Sequence, residues 1–430
     1  MANNNSNTSD YFNKERLFNY VKKFSFPRLA GTEGEKKAVE LTIKSFKEIG
    51  FDEDQIETEP FEFSDFYSTT LIKLIMTVSL TCILILVFIV YIHPIISFGL
   101  IAGMALIFFL ILRGLKHPEI PGFWGKYYGS LYDATNVFIK IPAKLESINE
   151  VGNIIISAHI DSKSQTFKTV WRIIAYRIWL FGGILFGILY LTLSIYLLIN
   201  PYLSFFFEQF TFIDQCFLIL NISLWILTGL VSFSNILLMF LNTHNKSPGA
   251  LDNASGMAIV FELSNYFRDH PLNNYSLWIC QYSAEELGTM GSRIFVNNYE
   301  QHFVKDKVFQ INFDMVSMAG HKGNKVEYMK SYGVYPRKSI APILNEYLEE
   351  AATEENLKIK GFHLSTGAHT DSVPFHLRGF EAVDVVTRAA ARYTHKKIDT
   401  PDKVDPQILL EACLIAKRAI IMIDNDYNSI

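Results

Sequence analysis

Residues 151–162 read VGNIIISAHIDS, an apolar, β-branched run that ends in a histidine, an aspartate and a serine. Runs of this kind are typical of strands buried on both faces of a sheet, with polar side chains where the strand stops. Three later stretches share the design: 275–286 (YSLWICQYSAEE), 307–316 (KVFQINFDMV) and 380–387 (FEAVDVVT). We therefore expect a set of buried strands with the chemistry at their ends.

Helical patterns separate these strands. They cover residues 11–24, 33–49, 255–269, 291–303, 337–356 and 405–423. Strands that alternate with helices favour an α/β domain rather than an all-β or all-α one. The prediction is a mixed, mostly parallel sheet with helices on both faces.

Four long apolar runs account for much of the apolar half of this 430-residue chain. They are residues 71–92, 95–112, 178–199 and 217–241. Each has about 18–25 residues, which is enough for a helix to cross a bilayer. Buried core helices are the alternative, but globular helices of this length normally carry a polar stripe. The runs therefore predict four transmembrane helices.

The four runs form two pairs, which predicts two inserted hairpins. His93 and Pro94 join the first pair in a tight turn, and the aromatic-rich residues 200–216 are expected to form an interfacial loop between the second pair. The predicted organisation has aqueous segments 1–70, 116–172 and 244–430 and transmembrane hairpins 71–115 and 173–243.

The distribution of basic residues predicts the orientation of these hairpins. The loops on the far side carry no Lys or Arg, whereas the span ends on the side of the aqueous domain are basic. These basic residues are Lys73, Arg113, Lys116, Lys168, Arg172, Arg177 and Lys246. The positive-inside rule then predicts a multi-pass membrane protein with its aqueous domain in the cytoplasm. Four cysteines with no disulfide pattern agree. A net charge of −4 without a basic stripe gives no reason to expect nucleic acid.

Acidic and imidazole side chains collect at the predicted strand ends. They are His159, Asp161, Asp252, Glu285, Glu286, Asp314, His395 and Asp399. Taken singly, each has an ordinary structural explanation, such as a helix N-cap for Asp252 or a surface position for the adjacent glutamates. Taken together, they form a negative cluster that is costly to bury unless cations occupy it.

Six motifs in this order carry a family resemblance: AHIDS (158–162), GALDNASGMA (249–258), AEELGTMGS (284–292), NFDMV (312–316), TDSVPF (370–375) and THKKIDT (394–400). The set resembles the co-catalytic di-zinc aminopeptidases, a family that also includes glutamate carboxypeptidase-like enzymes. Residues 26–51 also resemble the opening helix of that family. The likeness extends over most of the aqueous portion and implies a di-zinc exopeptidase-like fold.

The resemblance implies a role for each matching residue. His159 and Asp314 would bind one Zn²⁺, Glu286 and His395 the other, and Asp252 would bridge the two ions. Asp161 would orient His159, and Glu285 would be the general base. Imidazole and carboxylate ligands suit zinc. The resemblance also implies a cis peptide bond between Asp252 and Asn253.

The chain departs from the family pattern at three points. Ser372 follows Asp371 where the family usually has a histidine, so the nearby His369 becomes a further site candidate. Lys396 follows His395 where a hydroxylic residue is common. The two hairpins also interrupt the domain, the second of them just before the Asp252 loop, which predicts an active site close to the bilayer.

The sequence therefore predicts a membrane-anchored zinc metallopeptidase that hydrolyses peptide bonds, an aminopeptidase in the first instance. Its expected partners are a peptide substrate and the lipid bilayer. Two alternatives stay open. One is a glutaminyl-cyclase-like acyltransferase, which uses a related fold with one zinc ion, and the other is a non-catalytic membrane scaffold.

Overall fold

The computed structural model describes residues 11–114, 129–145, 151–206, 211–320, 325–333, 336–365 and 370–429. The chain divides into two compact units. Unit 1 comprises Met1–Phe63, Leu131–Gln165 and Thr243–Ile430, and unit 2 comprises Ser64–Ser130 and Thr166–Asn242. The sequence thus leaves unit 1 twice and returns to it twice.

Unit 1 is built on one large mixed sheet. The strands of the described chain are β1 (Ile56–Ser64), β2 (Leu131–Ile141), β3 (Gly152–His159), β4 (Ser164–Gln165), β5 (Thr243–His244), β6 (Tyr275–Tyr282), β7 (Val308–Phe313), β8 (Val326–Tyr332), β9 (Lys338–Ser339), β10 (Ile359–Leu364) and β11 (Glu381–Val385). The sheet runs in the order β1-β2-β6-β3-β7-β11-β8-β10, with β9 beside β8, while β4 and β5 form a separate ribbon. The central strands β6, β3, β7 and β11 are parallel, and β2 is antiparallel to β6.

The helices of the described chain are α1 (Lys14–Phe24), α2 (Glu33–Ile49), α3 (Leu71–Ile92), α4 (Pro94–Gly114), α5 (Thr169–Phe206), α6 (Thr211–Met239), α7 (Ser255–Asp269), α8 (Met290–Tyr299), α9 (Pro342–Glu354), α10 (Val373–Leu377) and α11 (Pro406–Asn425). Helices α3–α6 lie in unit 2, and the others lie in unit 1. The predicted alternation of strands and helices in the aqueous domain is confirmed.

Helices cover both faces of the sheet. Alternate residues of its central strands accordingly pack in two different cores. Ile154 and Ile156 of β3 pack in the larger core, together with α1, α7, α9 and α11. Ile155, between them, packs in a smaller core with Trp278 of β6 and Phe295 of α8. A strand apolar on both faces needs a cover on each side, and this is what the continuous run 151–160 indicated.

Among the described strands that the sequence analysis did not predict, β1, β8 and β10 lie towards the sheet edges. β1 contains Pro60, which removes a backbone donor and is tolerated at an edge. β8 and β10 alternate apolar with polar residues and are half exposed along part of their length, so no continuous apolar run marks them. The apolar-run criterion therefore identifies the buried centre of this sheet and not its margins.

Unit 2 consists mainly of apolar helices at the predicted positions. Three stretches of the described chain are long and apolar enough to cross a membrane: Ser68–Ile92, Val170–Tyr202 and Gln215–Met239. Pro94–Ile107 is apolar but shorter. Within the unit, the Tyr190 hydroxyl lies 2.7 Å from Ser97 Oγ, and Trp179 Nε1 donates to Ser79 Oγ at 3.2 Å. Polar pairs of this kind join helices α3, α4 and α5.

One prediction for unit 2 was wrong. Residues 200–216 were expected to form an interfacial loop, but α5 continues through Pro201 to Phe206 and α6 already begins at Thr211. After Pro201, residues 202–216 contain no glycine or further proline, so only one residue of this stretch strongly disfavours a helix. The tight turn at His93 is confirmed, since α3 ends at Ile92 and α4 begins at Pro94.

The packing of α7 against the N-terminal helices gives a test of the larger core. The Phe261 ring is fully buried, and its centroid lies 4.8–5.5 Å from the rings of Tyr20, Phe24 and Phe46. We expect Phe261→Ala to lower the free energy of unfolding by about 3–5 kcal/mol, because it leaves a cavity among three rings. Phe261→Leu, the control that keeps most of the apolar volume, should cost less than Phe261→Ala. Urea unfolding of unit 1, followed by tryptophan fluorescence, measures both; equal losses would contradict this account of the core.

Candidate metal centre

Three neighbouring parallel strands bring the predicted site residues to one edge of the sheet. His159 is the last residue of β3 and is paired in register with Tyr282, the last residue of β6. Glu285 and Glu286 follow β6 within four residues, and Asp314 follows β7 directly. Since the carboxyl ends of parallel strands share an edge, side chains distant in sequence meet there.

Two groups of possible ligand atoms lie at this edge, and they share one residue. In the first group, His159 Nε2 lies 3.2 Å from Asp252 Oδ1 and 3.5 Å from Asp314 Oδ1. In the second group, His395 Nε2 lies 3.1 Å from Asp252 Oδ2 and 3.3 Å from Glu286 Oε2. Within each group the ligand atoms all lie within 4.8 Å of one another. The two oxygens of Asp252 therefore face one group each.

The backbone around Asp252 presents its carboxylate to both groups. The peptide bond between Asp252 and Asn253 is cis, as the resemblance implied. Asp252 does not cap α7: its two oxygens face His159 and His395, and Asn253 Oδ1 accepts the N–H of Gly256 at 3.0 Å instead. The ordinary explanation of Asp252 as a helix cap is thus wrong, and its side chain is left for the two histidines.

Two further buried carboxylates hold the loops that carry these residues. Asp161 accepts the backbone N–H groups of Glu285 (3.1 Å) and Glu286 (3.2 Å). Asp399 accepts those of Leu251 (2.7 Å) and Asp252 (3.2 Å). His159 Nδ1 lies closer to the main-chain oxygen of Asp161 (3.0 Å) than to its carboxylate (3.4 Å). Asp161 therefore positions the histidine through its backbone and the glutamates through its side chain.

Arg28 connects the loop that follows β3 with the loop that precedes Asp252. Its guanidinium is fully buried and donates to the carbonyl oxygens of Ile160 (2.5 Å), Pro248 (2.6 Å) and Gly249 (2.9 Å). Burial lowers the pKa of Arg28 to about 10, although Asp399 and other nearby carboxylates oppose this shift. The group stays charged at neutral pH and places a fixed positive charge beneath the acidic cluster.

Glu285 and Glu286 have different surroundings. Glu286 accepts the ammonium group of Lys163 at Oε2 (2.8 Å) and the Lys163 backbone N–H at Oε1 (3.1 Å). Glu285 Oε2 lies 3.9 Å from His159 Nε2, beside the first group and outside both groups of ligand atoms. One glutamate is thus held in the second group, while the other borders the site.

Without a cation, the charges of the cluster oppose one another strongly. Burial lowers the pKa of His159, but the carboxylates around it, Glu285 first, outweigh this and raise that pKa well above its usual value. Burial raises the pKa of Glu285 well above its ordinary range, against the opposing charge of His159. Although burial acts in the other direction, the nearby imidazoles of His159 and His395 lower the pKa of Asp252. The surrounding carboxylates therefore favour the protonated form of His159, and burial favours the protonated form of Glu285.

The donor set fits a metal ion on structural grounds. His159 Nε2 and Asp314 Oδ1 are buried and have no hydrogen-bond partner among the described residues. Buried polar atoms rarely lack a partner, because desolvation costs free energy that no hydrogen bond returns. Both atoms belong to the first group, in which a divalent cation would satisfy them together. Nitrogen and carboxylate oxygen are the ligands that zinc accepts.

Sequence reasoning missed the supporting contacts rather than the cluster itself. Arg28 lies in the stretch 26–51 and Lys163 directly follows AHIDS, but their partners are backbone atoms or residues more than 100 positions away, so no local pattern marks them. Ser372, at the unusual position, donates to Asp384 Oδ2 at 2.6 Å. His369, the further candidate, lies outside the described residues.

Part of the chain is similar to a known protein family. Residues 238–419 match the model of peptidase family M28. Aminopeptidase YwaD of Bacillus subtilis is 24% identical over 173 residues, which cover 39% of this chain and 36% of that protein. The matched part thus spans about a third of the length of this curated relative.

Solved structures show the same fold. The zinc aminopeptidase BSAP from Bacillus subtilis superposes with a TM-score of 0.51 at 13% identity, over 96% of this chain and 95% of that chain. A glutaminyl cyclase from an Acidobacteriales bacterium gives a TM-score of 0.52 at 16% identity, over 96% and 95%. At these identities the likeness establishes the fold alone. Residues 238–419, which carry Asp252, both glutamates, Asp314 and His395, are thus similar to peptidase family M28 and to one of its aminopeptidases.

Proposed function

We propose that this protein is a membrane-anchored aminopeptidase that binds two zinc ions and hydrolyses peptide bonds. The observation that carries the proposal is the pair of ligand groups that share Asp252, with Glu285 beside them. His159, Asp252 and Asp314 would hold one ion, and Asp252, Glu286 and His395 the other. When bound, zinc supplies Lewis acidity, which polarises a carbonyl group and makes water a stronger acid.

Glu285 is the general base in this proposal. It is 8% exposed, so its carboxylate borders the site without lying in bulk water. Its backbone N–H is fixed by Asp161, and neither oxygen is needed in the two ligand groups. The carboxylate would take a proton from the attacking water at one oxygen and deliver it to the leaving amine. Burial, which raises its pKa, makes Glu285 a better proton acceptor than an exposed glutamate.

A glutaminyl-cyclase-like acyltransferase is the second candidate, and the structural likeness to two bacterial glutaminyl cyclases favours it. The two activities leave different products. The aminopeptidase releases a free amino acid from an unblocked peptide, whereas the cyclase releases ammonia from an N-terminal glutamine. Assays of both products with one purified preparation separate them. A scaffold without activity is the weaker alternative, because the proposed base and all the proposed ligands are present.

The membrane part of the proposal rests on unit 2. Three of its helices have the length and apolar composition of membrane spans, and the shorter apolar stretch Pro94–Ile107 belongs to α4. We propose that α3–α4 and α5–α6 form two transmembrane hairpins. The basic residues predicted at the span ends would then place unit 1 in the cytoplasm. Lys116 lies outside the described residues, and Lys73, Lys168, Arg172 and Arg177 are within them.

Glu285→Gln tests the catalytic assignment. The amide keeps the size of the side chain but cannot accept the proton, so turnover should fall about 100- to 10,000-fold, the usual contribution of a positioned base. Zinc content, measured by elemental analysis of the purified chain, should stay at the wild-type value. Hydrolysis of an aminoacyl substrate at the wild-type rate would show that another group acts as the base.

Glu286→Gln is the matched variant at the next position and should fail differently. The amide is a poorer zinc ligand than the carboxylate, and it also loses the ion pair with Lys163. We expect about one zinc ion per chain in this variant and two in the wild type, with the loss greatest at low free zinc. Two zinc ions retained by Glu286→Gln, or fewer than two in the wild type, would refute the proposed ligand set.

Cysteine labelling in sealed vesicles or intact cells tests the orientation. One variant with a single accessible cysteine carries Asn200→Cys, near the far end of the candidate span Val170–Tyr202, and another carries Lys325→Cys, in unit 1. Cys82 and Cys216 are first replaced by serine, because they are not buried, whereas Cys280 and Cys413 are. An impermeant maleimide added outside intact cells should label position 200 and leave position 325 unlabelled. The reverse pattern would place unit 1 outside the cell and leave the enzyme assignment unchanged.

A further inference from the structure

The second ligand group is tied to the place where the longer insertion joins unit 1. That insertion, residues 166–242, begins directly after β4 and ends directly before β5. The two strands form an antiparallel ribbon in which Ser164 pairs with His244 and Gln165 with Thr243. The Ser164 hydroxyl also donates to the carbonyl of His244 at 2.8 Å. The β4–β5 ribbon thus closes the base of the insertion inside unit 1.

One edge of this ribbon contacts His395. The backbone N–H of Gln165 donates to the carbonyl oxygen of His395 at 3.2 Å. His395 has a φ of 60°, in the left-handed region that side chains other than glycine seldom adopt. A residue in that region keeps its conformation only where its surroundings impose it. The bond from Gln165 fixes the orientation of the His395 carbonyl and thereby helps to fix the direction of its imidazole.

The residues that lead into the ribbon also contact Glu286. Lys163, two positions before Gln165, donates from its backbone N–H and from its ammonium group to the two Glu286 carboxylate oxygens, and its ammonium also donates to the Glu286 carbonyl at 2.8 Å. Two members of the second group, Glu286 and His395, are therefore both held by residues 163–165.

The first group has no comparable connection among the described contacts. His159 ends a central strand, and the backbone N–H of Asp314 donates to Val385 of β11 at 3.1 Å. Its residues depend on the buried sheet, which is the most rigid part of a domain of this kind. The two groups consequently differ in what holds them, although they share Asp252.

We propose that the β4–β5 ribbon is a positioning element for the second zinc ion. A conformational change in the inserted helices would then alter the positions of Glu286 and His395 and not those of His159 and Asp314. The inference rests on the proposed two-zinc function. Gln165 is the positioning residue and acts through its backbone N–H. Displacement of the ribbon by the insertion would selectively weaken the binding of the second zinc ion. The insertion would thereby regulate the metal content of the site.

Gln165→Pro removes the donor N–H, and Gln165→Ala keeps it while removing the side chain. The full chain in detergent is titrated with zinc against a chelating dye, and in parallel with cobalt(II), whose visible absorption reports ligand geometry. We expect Gln165→Pro to bind one of its two ions about 10- to 100-fold more weakly, the usual effect of losing an outer contact of a ligand, and to change the spectrum of that ion alone. Gln165→Ala should titrate as the wild type.

Three outcomes would overturn the proposal: wild-type titration by Gln165→Pro, equal weakening of both ions, or the same loss in Gln165→Ala. A wild-type chain that binds two ions and cleaves peptides beside an unaffected Gln165→Pro would refute this inference alone. Fewer than two ions in the wild type would refute the proposed function itself.

Hydrogen–deuterium exchange on the wild-type chain tests the same link without a variant. Because coupling between two sites is reciprocal, zinc at the second group should in turn stabilise the Gln165–His395 bond. Peptides that contain residues 163–166 should exchange more slowly after the second equivalent of zinc and not after the first. Exchange that neither equivalent alters, or that the first equivalent already slows fully, would contradict the proposal.

Discussion

The structure of unit 1 depends on the cost of gathering carboxylates at one buried edge of a sheet. Asp161, Asp252, Glu286 and Asp314 are each at most 5% exposed and lie within one cluster. Several kcal/mol per buried ion is the order of the penalty when charge is not compensated. The chain compensates by four means: the buried Arg28 guanidinium, the Lys163 ammonium group on Glu286, backbone N–H groups directed at Asp161 and Asp399, and histidines between the carboxylates. The negative charge that remains is the charge that metal ions would neutralise.

The supporting groups form a second layer whose members each serve two loops. Arg28 lies 221 residues from Gly249 in sequence and connects it to Ile160. The N-terminal segment therefore joins the loop after His159 to the loop before Asp252. Asp161 stands in the His159 loop and fixes the glutamates after β6. Asp399 stands in the His395 loop and fixes the residues around Asp252. Each ligand-bearing loop is therefore positioned by its neighbour, and the geometry belongs to the set rather than to any one loop.

This arrangement explains what the sequence could and could not predict. The central strands β3, β6 and β7 were evident because burial on both faces requires continuous apolar runs. The edge strand β1, with its proline, and the half-exposed β8 and β10 lacked that signal. The ligand residues could be proposed because they follow apolar runs and match family motifs in order. The roles of Arg28 and Lys163 could not be predicted. Arg28 donates to backbone carbonyl oxygens, which every residue has, and the partner of Lys163 is distant in sequence. The loop expected from the aromatic residues of 200–216 was wrong, because aromatic side chains are equally compatible with the helices that end at Phe206 and begin at Thr211.

The position of the longer insertion follows from the same physics. A loop of residues 166–242 costs little more to close than a short one, since closure entropy rises by only about 0.6 kcal/mol for each doubling of length. What unit 1 requires is that the two ends stay together, and the pairing of Gln165 with Thr243 provides this. An insertion within β3 or α7 would have broken the sheet or the larger core. The loop between them tolerates length, but it is also where Lys163 and Gln165 contact the second ligand group. In the proposed coupling, the loop that accepts this insertion is thus also the loop through which the insertion would act on the second ligand group.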